Sequence, residues 1–170
     1  MSSLRLLNET SASSVASVSI TDVFSADYDI YKIVVDTYQP STGDTLNIRL
    51  INSSGSVITA SNYDKATKVL RSYNTFQNDN FANIDKFFQM SDNNATAVGV
   101  GLSVYVYNPF NSDRYSFITQ SEYSYTSSGS KGYKGVGVLK QLVSMSGVNF
   151  YGHGGHNFTL NAKVYGLRVD

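Results

Sequence analysis

Apolar and polar positions alternate with period two along much of this chain. Tyr31, Ile33 and Val35 share one parity, as do Leu46, Ile48 and Leu50. Successive side chains of a β-strand point to opposite faces, so this alternation marks strands buried on one side. Pro40, Ser41, Thr42 and Gly43 place turn residues between the two runs, and the pair reads as a β-hairpin. Asn52–Gly55 reads as a second turn, followed by a short strand over Ser56–Ala60. The clearest pattern covers residues 98–108. Val98, Val100, Leu102, Val104 and Val106 face one way, and Gly99, Gly101, Ser103, Tyr105 and Tyr107 the other. The two glycines bare the second face, where another backbone or a ligand can come close. Further strands are predicted over Ile84–Met90, Asp113–Tyr125, Tyr133–Leu139, Leu142–Tyr151 and Asn157–Arg168, with turns at Ser127–Gly135 and Gly152–Gly155.

Three segments depart from simple alternation. Between Tyr63 and Phe76 the apolar positions are Tyr63, Ala66, Val69, Leu70 and Tyr73, a spacing that suits one face of a helix. Thr67 and Tyr73 dilute that propensity, so the segment reads as a short helix or as a strand with a loop. Asn74–Asn83 reads as an Asn-rich loop. The first residues carry an apolar patch at Leu4, Leu6 and Leu7, then a Ser-rich run, then an extended segment over Val15–Ile20. Residues 1–14 are therefore an arm or an edge segment ahead of one domain, residues 15–170. Many short strands with turn signals every ten or so residues predict an all-β sandwich or barrel.

At 41% hydrophobic the chain can fill a core, but only 15% of its residues are charged and the formal net charge is +0. An average globular chain has roughly 25% charged residues. Ser, Thr, Asn and Gln must therefore supply much of the polar surface. Such a surface steers charged partners weakly, which argues against nucleic acid. It also does little to hold copies apart, which favours a homo-oligomer or a larger assembly. Cysteine is absent, so neither a disulfide framework nor a thiolate ligand exists. The first residues lack the basic-then-apolar pattern of a secretory signal, and no apolar run is long enough to span a membrane.

Candidate chemistry is sparse. His153 and His156, the only histidines, sit in the Gly-rich stretch Gly152–His156. A transition-metal site wants three or four protein ligands. The stretch reads first as a hairpin loop, with a single-chain site completed by a distant Asp and a symmetric site at an oligomer axis as the alternatives. No serine sits in a G-x-S-x-G elbow. The glycines between Gly132 and Gly137 lack a phosphate loop and its following helix. The carboxylates are scattered, with Asp27 and Asp29 flanking Tyr28 and Asp36 and Asp44 bracketing the first hairpin. No catalytic, cofactor-binding or metal residue is assigned, and the chain is not expected to be an enzyme. The remaining functional material is aromatic, with 13 Tyr and 9 Phe. Tyr serves protein interfaces and sugar stacking alike. Leu4, Leu6 and Leu7 are the first interface candidates. Tyr105 and Tyr107, opposite the valine stripe of their strand, are the second.

Several segments resemble a group of small virion structural proteins of tailed phages that infect marine and freshwater bacteria. They are Phe24-Ser25, Tyr28-Asp29 and Tyr31, then Leu46, Ile48, Arg49 and Leu50, then Asn108-Pro109, and finally Val164-Tyr165-Gly166-Leu167. The resemblance implies an antiparallel β-sandwich, often a jelly roll, serving in head decoration or in tail and fibre parts. It implies a virion location, a homotrimer, and capsid or tail subunits as partners. It also implies that Phe24, Tyr28 and Tyr31 anchor the first long strand and that Tyr165 and Leu167 seal the last. It carries over no catalytic residue. The rival expectation is a carbohydrate-binding module that reads a host surface glycan.

Overall fold

The computed structural model describes residues 3–93 and 100–168. Among them lie twelve strands and no helix: β1 Ser3–Val15, β2 Ser17–Ile20, β3 Ile30–Pro40, β4 Asp44–Asn52, β5 Tyr63–Arg71, β6 Gln77–Ile84, β7 Phe87–Asn93, β8 Val100–Tyr107, β9 Ser116–Thr126, β10 Gly129–Leu139, β11 Met145–Gly152 and β12 Phe158–Arg168. They form two antiparallel sheets. The larger has the order β1-β12-β3-β8-β9-β10-β5-β6, and the smaller the order β2-β11-β4-β7. The two sheets pack face to face as a β-sandwich. The buried side chains are those the period-two pattern points inward: Tyr31, Ile33 and Val35 on β3, Leu46, Ile48 and Leu50 on β4, Leu102, Val104 and Val106 on β8, and Leu160, Ala162 and Val164 on β12. Val98 and Gly99, expected at the start of the mid-chain strand, lie outside the described residues.

The entry to β3 is fixed by aromatic packing. Phe24 and Tyr31 meet edge to face at 4.7 Å, and Tyr28 meets Tyr31 at 5.7 Å. The Tyr31 hydroxyl accepts from the Ser25 amide (2.7 Å) and donates to the Ser25 carbonyl (2.8 Å), so the buried ring keeps its polar tip satisfied. At the far end, Tyr165 and Leu167 stand on the outer face of the large sheet, while Phe158, Leu160, Ala162 and Val164 close the inner side of β12.

Several local expectations are corrected. β3 and β4 are not a hairpin: the Pro40–Gly43 connection carries the chain from the large sheet to the small one, where β4 pairs with β11 and β7. Of the two readings of the segment from Tyr63, the strand with a loop holds and the helix does not. Its true period is two, because Tyr63, Lys65, Thr67 and Val69 are all buried while Ala66 and Lys68 are exposed. Burial of a lysine hides this period from a reading that sends charges outward. The expected loop 74–83 contains most of β6, an edge strand with no fully buried residue. Ser56–Ala60 contributes only an isolated bridge from Val57 to Ile51. The expected turn at Ser127–Gly135 shrinks to the tip between β9 and β10, and β11 begins at Met145, leaving Leu142 and Val143 exposed.

Candidate interaction face

Strand register shows which outward-facing side chains share the large sheet's outer surface. One cross-strand row runs Leu4, Leu167, Ile30, Tyr107, Phe117, Val138, each the pairing partner of the next, from β1 through β12, β3, β8 and β9 to β10. The next row runs Leu6, Tyr165, Lys32, Tyr105, Thr119, Val136 and Ala66. Directly paired residues of antiparallel strands lie on the same face, so these two rows form one stripe. Leu4 (49% exposed), Leu6 (48%), Phe117 (46%) and Val136 (57%) are open to solvent. Six inter-strand steps make the stripe about 30 Å long, and two rows make it about 14 Å wide, on the order of 400 Å². Patches of this size on monomeric proteins are often functional.

Four of the five candidate interface residues meet on this stripe: Leu4, Leu6, Tyr105 and Tyr107. The fifth, Leu7, does not. Leu7 follows the outward Leu6 in the strand and so points to the inner face, where it packs against the core; the bulge between Leu6 and Asn8 then shifts the parity, so that Glu9 faces out. Tyr105 and Tyr107 are half-buried with ring centroids 6.5 Å apart and planes 28° apart, and Lys32 sits 5.7 Å over the Tyr105 ring. Beside Tyr107 the sheet hollows into a depression of about 520 Å³, walled by Phe117, Val136, Ala66, Asn80 and Phe81. Gly101 is not bare on this face: the Tyr123 ring lies across it, where a Cβ would stand.

Inside the sandwich, polar side chains of the large sheet stitch down the free edge of β7. Lys65 donates to the carbonyls of Phe88 and Gln89, and Gln120 to those of Gln89 (3.1 Å) and Met90 (2.7 Å). Ser91 bonds Glu122 (3.2 Å), and Lys131 bonds Asp92 (2.5 Å). Gln89 has a left-handed backbone (φ 52°), and the β4–β7 register breaks between Leu46 and Ile48. With no further strand to pair with, β7 satisfies these carbonyls through side chains. Burial pulls the Lys65 amine down to about 7, against the pull of Asp79 and Glu122. Burial pushes the Glu122 carboxyl up to about 8, against hydrogen bonding from Ser124 and Ser91. Both residues are buried.

The Gly152–His156 loop is pinned by the buried Asp44, whose carboxylate accepts from the amides of Gly154 (2.9 Å) and Thr45 (2.7 Å). Gly152 leaves room for that carboxylate, and Gly155 is left-handed (φ 73°). The exposed His153 rests its ring on Phe88 at 4.9 Å. Among the described residues no three metal-ligating side chains converge. Compared with known protein families and with curated proteins, the chain gives no match.

Phe117 and Val136 complete the stripe, but in sequence they read only as strand residues. The buried Lys65 and Glu122 also escaped notice, because nothing local distinguishes a buried charge from a solvated one.

Proposed function

We propose that this protein is a non-enzymatic virion structural protein of a tailed phage, a jelly-roll type sandwich that assembles through protein contacts on the capsid or tail. The observation that carries the assembly reading is the apolar stripe on the outer face of the large sheet. At on the order of 400 Å² it supplies about half the roughly 800 Å² per partner of a stable interface. The row beside it, Glu9, Lys163, Val34, Ser103, Ser121 and Lys134, is polar apart from Val34 and supplies a rim of the usual kind. The phage and virion parts of the reading rest on the resemblance at Phe24, Tyr28, Tyr31, Arg49 and the closing strand. The jelly-roll part is supported by consecutive strands that cross between sheets, as β3, β4 and β5 do. The homotrimer also follows the resemblance.

The test is the double variant Phe117→Asp/Val136→Asp. Both side chains are exposed, so melting should stay within about 2 °C of wild type. Self-association by light scattering and incorporation into particles should both be lost. Unchanged assembly and incorporation would overturn the reading. The near-parallel Tyr105 and Tyr107 beside a ligand-sized depression favour one second reading, a glycan-binding module of a fibre. A glycan array with hits that vanish in Tyr107→Ala would select it, and an array with none would remove it.

A further inference from the structure

The outer face carries unbalanced charge beside its apolar stripe. Lys86, Lys131, Lys140 and Lys163 each hold a carboxylate, and Lys65 is buried. Lys32, Lys68 and Lys134 have no ion-pair partner among the described residues, and register places all three on the outer face. Lys68 and Lys134 are direct cross-strand partners, both exposed. Like charges in that position repel, and an anion set between them would relieve the repulsion. The carboxylates nearby do not serve: Glu9 is held by Lys163 (3.2 Å) and Asp64 by Lys140 (2.8 Å), Asp36 lies near Lys163, and Asp79, though it lines the hollow beside the pair, is the register partner of the buried Thr67 and acts on the buried Lys65. The lysine pair borders a second hollow that shares Ala66, Asn80 and Val136 with the apolar depression. The face therefore fits a partner that is apolar and acidic together.

The chain has such a surface of its own. The loops 21–29, 108–115 and 140–146 are tied into one end of the sandwich. Asn108 donates to Asp29 (2.7 Å), Met145 to Pro109 (2.8 Å), the Ser144 hydroxyl to Phe110 (2.8 Å), and Val23 to Ser146 (2.9 Å). This end exposes Asp22, Asp27, Asp29 and Asp113, none in an ion pair among the described residues, with Arg114 the cation of these loops and Arg168 at the adjoining end of β12. The exposed apolar side chains Phe110, Tyr115, Leu142 and Val143 stand among them.

Taking the outer face as an interface, we propose that its occupant is a second copy of this chain docked head to tail, the acidic loop end of one copy on the stripe and free lysines of the next. The two contacting surfaces differ, so the contact is heterologous and closes into a ring or continues as a filament. The loop end is held by its own hydrogen bonds, so little ordering cost attends docking.

Two exposed charge reversals test this: Lys68→Glu/Lys134→Glu on the face and Asp29→Lys/Asp113→Lys on the loop end. Melting scans establish that both variants fold. Each alone should associate at least about tenfold more weakly than wild type in sedimentation. Mixed in equal amounts they should co-sediment, because the unaltered loop of one meets the unaltered face of the other. Association of the wild type should weaken as salt is raised. A wild type that stays monomeric at high micromolar concentration, variants that associate like wild type, or a mixture that does not co-sediment would each overturn the proposal. If the Phe117→Asp/Val136→Asp variant loses assembly while the charge reversals keep it, the outer face remains the interface and only the head-to-tail occupant is lost. Loss of particle incorporation in that same variant, beside a monomeric wild type, assigns the face to a different, acidic partner.

Discussion

Lys65 and Glu122 give the interior an unusual dependence on pH. The Glu122 carboxyl is held at about 8 when folded, against an ordinary value near 4.5. Between those values the folded state holds a proton that the unfolded state has released, so stability falls as pH rises from about 4.5 to 8. Lys65 is held at about 7 against an ordinary 10.5. Between those values the unfolded state holds the extra proton, so stability rises from about pH 7 to 10.5. The two trends cross near pH 7–8, where most proteins are near their most stable. Melting scans should show a minimum there, with a recovery up to about pH 10. Beyond that the buried tyrosines, all held above their ordinary value, turn the trend down again. Glu122→Gln keeps the shape of the side chain and removes its titration. It should erase the fall between pH 5 and 8 and melt above wild type at pH 9; a variant with the wild-type slope would refute the assignment.

At the scale of elements, β7 depends on the side chains that stitch its edge. Gln120→Leu would orphan the carbonyl of Met90, while Gln89 keeps its bond from Lys65, and should cost about 1–3 kcal/mol. Hydrogen exchange should show β7 opening first, with β3 and β12 still protected. β1 divides its leucines by alternation, with Leu4 and Leu6 outward and Leu7 inward. Leu4→Ser and Leu6→Ser should leave melting nearly unchanged and weaken assembly. Leu7→Ala should lower stability by about 1–2 kcal/mol, less than a full core leucine because the side chain is only half-buried. The sequence shows β3, β8 and β12 plainly, because each buries one face and exposes the other. It hides β5, whose inward positions include Lys65 and Thr67, and β6, which buries neither face and so has no period. It cannot show whether β3 and β4 pair across their turn, since that is decided by β12 and β11, which lie far away in sequence. The same distance hides the stripe. Leu6 and Tyr105 stand out singly, but only the strands β12 and β3 between them put both on one face.

At the scale of the whole molecule, the two ends of the described chain are neighbours. Ser3 pairs with Arg168, and β1 lies against β12 along most of its length. This contact is the most distant in sequence, and forming it carries the largest loop-closure cost in the fold. A circular permutant joins residue 170 directly to residue 1, leaving residues 169, 170, 1 and 2 as a four-residue connection between paired strands. That is an ordinary length for a hairpin loop. New ends can open at Ser127–Ser128, the exposed tip between β9 and β10, remote from the stripe. The permutant should fold with a melting temperature close to wild type and should refold faster, because the β1–β12 contact has become local. It also decides how β1 takes part in assembly. If β1 acts in place, as the edge carrying Leu4 and Leu6 into the stripe, joining it to β12 leaves that surface intact and the permutant assembles as wild type does. If β1 instead leaves its own sheet to pair with a neighbour, the four-residue connection forbids the exchange, and the permutant should fold normally yet stay monomeric. The observed pairing, which runs from Ser3 to Val15 and buries Leu7 and Val15 against the chain's own core, favours the first outcome.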